Sequence, residues 1–320
     1  MSIVEIKNVT KKYGNNTVLK NINLTILKGE FIVILGPSGC GKTTLLKTIN
    51  NLIPFDDGEI LIKEKLQKDW DPIELRRNIG YVIQQTGLFP HLTVSRNITY
   101  VLDLQNINKK IQEERAEDLI QLVGMDSSFL IRYPRELSGG QKQRIGVARA
   151  IAADPEIILM DEPFGAVDEV VRKNLQDELK ALQKRLKKTI VFVTHDIDEA
   201  IRLGDRIVVM NEGNIEHSGT VKDIVFHPAN DFIKSFFGLK NFTSYLNQVK
   251  IYDVLSECRL EEDLYIYDDM TVLEGLKALF DLNRLEICVK DRNEKKVGSF
   301  RFDQVKDKIL SKEWYNRYKI

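Results

Sequence analysis

The sequence predicts an α/β protein built around a parallel sheet. An antiparallel β segment precedes that sheet, a helical segment is inserted into it, and a small α+β unit follows. Three observations predict this. Phe31–Leu35, Ile157–Asp161 and Ile190–Thr194 are short runs of mostly apolar residues, as strands covered on both faces of a parallel sheet must be. Stretches with helical spacing separate them, and strands that alternate with helices pair in parallel. Near Gly238–Asn247 the pattern breaks and a second run of strand and helix signals begins. A chain of 320 residues has room for one large domain and a smaller one, read here as 1–237, a linker at 238–247, and 248–320.

Taken in order, Ile3–Thr10 and Thr17–Leu27 alternate partly between apolar and polar residues around Gly14-Asn15-Asn16, which reads as a hairpin. Phe31–Leu35 runs into a glycine-rich loop, with a helix expected over Thr43–Asn50. Asp71-Pro72 has the form of a helix start, a carboxylate cap followed by proline in the first turn. Ile79–Ile83 is a short strand. Helical spacing then appears, with Ile111, Leu119, Ile120 and Val123 set among charges, and marks an inserted helical subdomain of about 88–150. Gly139–Ala152 is a helix stopped at Asp154-Pro155.

In Glu169–Lys187, Val171, Leu175, Leu179, Leu182 and Leu186 recur as one apolar helix face. The basic run Lys184–Lys188 at its end suits the negative pole of the helix dipole better than a nucleic acid. Arg206–Met210 and Ile215–Ser218 flank a turn. Beyond residue 247, Thr271-Val272-Leu273-Glu274 is a capping box. Leu273, Leu276, Leu279 and Phe280 give its helix an apolar face, and Ile287–Val289 and Val297–Phe300 read as strands joined by a polar turn.

Composition narrows the function. Lys+Arg and Asp+Glu both number 47, so no overall field draws the chain to nucleic acid or to an anionic membrane surface. The 43% apolar and 29% charged content is that of a soluble globular protein, and the longest apolar runs are too short to span a bilayer. Met1–Glu5 lacks the basic and then apolar pattern of a signal peptide. Cys40, Cys258 and Cys288 are scattered, which fits a reducing cytosol and no disulfide framework.

The loop after the first apolar run is Gly36-Pro37-Ser38-Gly39-Cys40-Gly41-Lys42-Thr43. Gly36, Gly39 and Gly41 let the backbone curl so that successive N–H groups point inward, and the helix N-terminus adds its positive end. Lys42 supplies a charge for β- and γ-phosphates, the Thr43 hydroxyl suits Mg²⁺, and Thr44 faces the α-phosphate region. Pro37, Ser38 and Cys40 complete the loop, with Cys40 at a position that needs only a small residue. This P-loop predicts a bound nucleoside triphosphate.

Three segments follow it in order: Leu137-Ser138-Gly139-Gly140-Gln141, then Ile157–Asp161 with Glu162, then Val193-Thr194-His195-Asp196. The set resembles the nucleotide-binding subunit of ATP-binding-cassette (ABC) transporters, from about Met1 to about Phe237. The resemblance implies a P-loop NTPase cassette that hydrolyses ATP with Mg²⁺. It places Asp161 on the metal, directly or through water, which suits a carboxylate at a buried strand end. It makes Glu162 the general base that polarises the attacking water. Gln84, favoured over Gln85 by the strand-end pattern Val82-Ile83-Gln84, would touch metal and water. His195 would hold the water and donate to the γ-phosphate, and Tyr13 would stack on adenine. Ser138, Gly139, Gly140 and Gln141 would complete the site of a second copy, so that two chains sandwich two ATP molecules head to tail. Gly165-Ala166-Val167-Asp168 lies between the two sites and carries Gly and Val where the family commonly has Ser and Leu.

The resemblance further implies separate transmembrane permease subunits, an extracytoplasmic substrate-binding protein in the full complex, and a place on the cytoplasmic face of the membrane. Thr86–His91 is the expected contact for a short permease helix. Gln84–His91 and His195–Ala200 look like subunits that serve quaternary-ammonium osmolytes: glycine betaine, carnitine and choline. Those subunits also carry cystathionine-β-synthase-type (CBS) motifs, and the strand–helix–strand–strand order of 248–320 resembles one such motif. It departs from the usual pair of motifs, and Gly298–Asp303 is one residue shorter than the family's spacing to a ribose-binding Asp. A regulatory or dimerisation role is expected of it. The rival readings are an ATPase serving another small solute, and a soluble ABC protein acting on DNA or ribosomes. The latter would carry a long coiled coil or a second cassette, and neither is present.

Overall fold

The computed structural model describes residues 1–84, 87–165, 167, 169–226, 229–256 and 264–305. The chain divides into two compact units, Met1–Val221 and Lys222–Ile320. In the first, β1 (Ser2–Tyr13) and β2 (Asn16–Leu27) form the expected hairpin, turned by Gly14 at φ 58°. β3 (Phe31–Leu35) and α1 (Lys42–Ile49) follow. β4 (Asp57–Ile62) and β5 (Lys65–Leu66) have no clear sequence signal, yet they extend the hairpin into an antiparallel sheet of order β2-β1-β4-β5. α2 (Pro72–Arg77) starts as predicted, with the Asp71 carboxylate accepting from the N–H groups of Ile73 and Glu74 at 2.9 Å each.

After β6 (Ile79–Val82) comes the helical subdomain of α3 (Val94–Leu104), α4 (Lys109–Leu122) and α5 (Gly139–Ile151). Leu119, Ile120 and Val123 are buried as predicted, whereas Ile111 is exposed. The inner position beside it belongs to Gln112, whose amide donates to the Ile107 carbonyl at 2.9 Å. The unit is completed by β7 (Ile157–Asp161), α6 (Glu169–Leu186), β8 (Thr189–Thr194), α7 (Ile197–Leu203), β9 (Arg206–Asn211) and β10 (Asn214–Gly219). On α6, Leu175 and Leu179 are buried but Val171 is exposed. Gln176 and Gln183 share the buried face, and Gln183 donates to the carbonyls of Gly29 and Lys188.

The second sheet has the order β10-β9-β3-β8-β7-β6, parallel throughout except for β10. Every residue of β3, β7 and β8 is buried, and the rings of Phe31 and Phe164 lie 5.9 and 5.7 Å from that of Phe192. Because these strands run the same way, their C-terminal ends open on one edge. Leu35 lies opposite Thr194, Asp161 opposite Val193, and Val82 opposite Met160. In open α/β sheets that edge is where ligands bind.

Glu156 ties the hairpin sheet to the start of β7 through Lys28 and Lys63, each at 2.6 Å. Those two ammonium groups hold its carboxyl down at about 2. The folded value lies below the unfolded one, so this support is complete above the ordinary glutamate value and is lost as pH falls through about 2. Thermal melts of Glu156→Gln should therefore lie slightly below the wild type at pH 7, as expected for a surface cluster, and converge with it near pH 2. Coincident melts at pH 7 would refute this.

The second unit is built from α8 (Val221–Phe226), α9 (Asp231–Leu246), β11 (Tyr265–Tyr267), α10 (Val272–Asp281), β12 (Glu286–Lys290) and β13 (Lys296–Arg301). α9 occupies most of the 238–247 stretch expected to be a linker. Gly238 does not stop it, since one glycine inside a helix costs only about 1 kcal/mol. The Thr271 capping box forms: Thr271 Oγ1 accepts from the Glu274 N–H at 3.2 Å, and Glu274 Oε2 accepts from the Thr271 N–H at 2.8 Å. β11 and β12 pair in parallel across α10, and β13 adds antiparallel. The buried stripe of α10 is Val272, Gly275 and Leu279, while Phe280 is 87% exposed. Gly275 explains the rotation, because a Cβ there would lie 2.8 Å from both the Ile251 and Phe300 side chains.

Candidate functional site

The P-loop joins β3 to α1 and is shaped by its glycines. A Cβ on Gly36 would sit 2.2 Å from the Met210 carbonyl of β9, and Gly41 has φ 108°. Gly41 also caps α1 without a side chain, which leaves the first helical N–H groups for an anion. The buried Lys42 ammonium donates to the carbonyls of Gly36 and Pro37 at 2.7 and 2.9 Å, two of its three donors. The cleft over the loop is lined by Ser38, Gly39 and residues 41–44, together with Val18 and Glu162. Val18 carries no local signal of a site; it arrives through packing of β2, its carbonyl 2.8 Å from where a Gly41 Cβ would be. Cys40 is buried, and burial raises its thiol against the pull of Lys42.

Gly36 and Gly39 make a contrasting pair. Gly36→Ala should lower both the melting temperature and nucleotide affinity, because a backbone carbonyl blocks the new methyl. At Gly39, with φ 80° and open space around it, alanine should cost only about 1–2 kcal/mol of backbone strain. Equal losses in thermal melts of the two variants would contradict this.

Asp161 ends β7 and is buried. Burial raises its carboxyl, opposed first by the Thr43 hydroxyl, which donates to Oδ1 at 2.8 Å, and then by Lys47. A carboxylate and a hydroxyl held together suit a hard divalent cation such as Mg²⁺. Among the described residues no cluster of three or more His, Cys, Asp or Glu side chains could hold a metal.

Glu162 follows with φ 43°, an unusual left-handed backbone, and its N–H donates to the Val193 carbonyl at 3.0 Å. Its carboxylate accepts from Gln84 Nε2 at 3.0 Å and lies 3.2 Å from His195 Nδ1. Four strand ends thus bring Lys42, Gln84, Asp161, Glu162 and His195 to one edge of the sheet.

Other predicted residues lie elsewhere. Tyr13 is exposed at the hairpin end opposite Asn16, with the Lys11 ammonium 5.2 Å from its ring centre, and it does not line the cleft. Ser138 caps α5: its Oγ accepts from the Gln141 N–H at 3.3 Å, and Gln141 Oε1 accepts from the Ser138 N–H at 2.9 Å. Ser138 and Gly139 are exposed, and none of residues 138–141 lines the cleft. Phe89 packs on Tyr100, ring centres 4.5 Å apart, and bonds Asn97. Gln85, Thr86, Ala166, Asp168 and Cys258 lie outside the described residues.

A family profile described as ABC transporter matches residues 19–165. The osmoprotectant import ATP-binding protein OsmV of Salmonella typhimurium is 47% identical over 302 residues, which are 92% of this chain and 78% of that protein. The chain belongs to the ABC transporter ATP-binding family. This ABC chain is also 54% identical over 237 residues to the choline transport ATP-binding protein OpuBA of Bacillus subtilis. That match covers 74% of the chain and 62% of the relative, so the ABC chain spans less than two thirds of OpuBA. Among solved structures, the dimeric post-hydrolysis state of the ATP-binding cassette MJ0796 bound to ADP and Pi superposes with a TM-score of 0.62. It is 38% identical and covers 68% of this chain and 98% of that one.

Proposed function

We propose that this chain is the ATP-hydrolysing subunit of an importer for quaternary-amine osmolytes of the glycine betaine, carnitine and choline type. The observation that carries hydrolysis is the direct contact of Glu162 with both Gln84 and His195 at the rim of the P-loop cleft. The loop N–H groups and Lys42 bind the β- and γ-phosphates of ATP. Thr43 and Asp161, with Gln84, would hold Mg²⁺, which when bound would offset phosphate charge. Gln84 and His195 orient the attacking water, Glu162 takes its proton, and His195 donates to the γ-phosphate as ADP and phosphate separate.

The placement of 138–141 outside the cleft supports a head-to-tail dimer in which Ser138, Gly139, Gly140 and Gln141 serve the partner's ATP, as does the dimeric state of the MJ0796 cassette. Tyr13 is assigned to the adenine by family likeness. Among the described residues no helix is long and apolar enough to cross a membrane. The solute path in this reading belongs to separate permease chains, with the subunit on their cytoplasmic face and a binding protein outside. The relatives' roles in choline and osmoprotectant transport support the solute class. The β11–α10–β12–β13 order supports a CBS-like regulatory or dimerisation role for 248–320.

Two measurements test this. Phosphate release by the full chain with Mg²⁺ and ATP should be measurable and vanish in Lys42→Ala. Vesicles holding the chain with its permease and binding protein should take up labelled choline or glycine betaine in preference to spermidine. No phosphate release sinks the enzymatic reading; preference for another solute replaces the osmolyte one.

A further inference from the structure

His195 meets Glu162 from a turn, and its side chain is 57% exposed, so the turn itself must hold the ring in place. Thr194, the buried last residue of β8, staples that turn from below. Its hydroxyl accepts from the Asp196 N–H at 3.0 Å and donates to Glu199 Oε2 at 2.6 Å. The other Glu199 oxygen accepts from Gln176 Nε2 of α6 at 3.2 Å. Asp196 caps α7 and lies 3.6 Å from Arg172 Nη1, and Arg172 Nη2 donates to the Val167 carbonyl at 2.9 Å. Through Gln176 and Arg172, α6 therefore anchors both the His195 turn and the loop that follows Glu162.

Glu199 is only 5% exposed and accepts from two neutral donors, a hydroxyl and an amide. A carboxylate buried in that way is costly, and burial pushes its carboxyl up. Packing alone would be served better by a neutral side chain. We infer that Thr194 and Glu199 are positioning residues that lock the His195 turn to α6 and so set the His195 ring against Glu162. This rests on the hydrolytic reading above and deepens it.

The test is ATP turnover by the full chain in a double-mutant cycle. Thr194→Val keeps the side chain's shape and removes its hydroxyl. It should lower kcat by about 10–100-fold, the effect of a misplaced catalytic group, with KM unchanged. Thr194→Ser should restore most of the rate. In a His195→Ala background, Thr194→Val should cost nothing more, because it acts through the ring that is already gone. Glu199→Ala should behave like Thr194→Val, because it removes the acceptor that holds the Thr194 hydroxyl. If Thr194→Val is unfolded by circular dichroism, Glu199→Ala carries the same cycle.

Equal losses in the wild-type and His195→Ala backgrounds would overturn the proposal, as would a failed serine rescue or a change confined to KM. A wild-type chain that releases no phosphate overturns the hydrolytic reading itself. An active wild type with additive double mutants overturns only the positioning role.

Discussion

Glu162→Gln should bind ATP as tightly as the wild type while hydrolysing it about 10²–10⁴-fold more slowly. Glutamine has the same shape, so it can keep the φ 43° backbone and still accept from Gln84 through its amide oxygen. What it lacks is a carboxylate able to take a proton. Lys42, Thr43 and Asp161, which would hold the phosphates and the metal, are untouched by the change. The substitution therefore separates binding from turnover, and ATP-bound dimer should accumulate. Nucleotide affinity, steady-state phosphate release and size-exclusion chromatography with ATP read the three consequences. A variant that turns over near the wild-type rate would remove Glu162 from the role of base.

Lys42→Ala and Ser138→Arg chains should each be nearly inactive alone and regain activity when mixed. Ser138 is exposed and stands outside the cleft that Lys42 lines, so a site that needs both takes them from different copies. In a two-fold dimer of one variant with the other, one site pairs an intact loop with an intact Ser138, and the second site carries both defects. Random pairing then restores about a quarter of the wild-type sites. Arginine at position 138 keeps the chain's own cleft whole, because its clash falls on the partner. Wild-type activity should also rise more than linearly with protein concentration until dimers saturate. Strict proportionality together with no rescue on mixing would establish a monomeric mechanism.

The parts of the fold that were legible from residues alone are those whose physics is local. A strand covered on both faces admits little but apolar side chains, so β3, β7 and β8 announce themselves, and the phosphate loop is one contiguous segment. β4 does not, because Asp57–Ile62 has only three apolar residues and is made a strand by β1, which pairs Val4 with Ile62. Helical spacing finds a stripe but not its rotation. Val171 and Phe280 turn outward because buried glutamines on α6 and the bare backbone of Gly275 on α10 decide which side packs. At the site, Asp161, Glu162 and His195 were marked by ordered motifs and family resemblance, whereas their mutual contacts are tertiary. Val18 and Arg172 reach the site's surroundings through packing, with no short motif around them, and Glu199, inside the family-like segment His195–Ala200, shows its bond to Thr194 only in the folded chain.

The central position of β3 sets a clock on biosynthesis. Its neighbours in the sheet are β8 and β9, and Gly29 finds its Thr189 partner only 160 residues further along the chain. At roughly 5–20 residues per second, about 8–30 s pass between the emergence of the two. Through that interval the loop that would grip phosphate hangs from five apolar side chains with no sheet to join. Nucleotide therefore cannot template the early chain, and shelter from aggregation must come from elsewhere. Ribosome-bound chains arrested short of Thr189 should retain no ATP, and those released past Gly219 should.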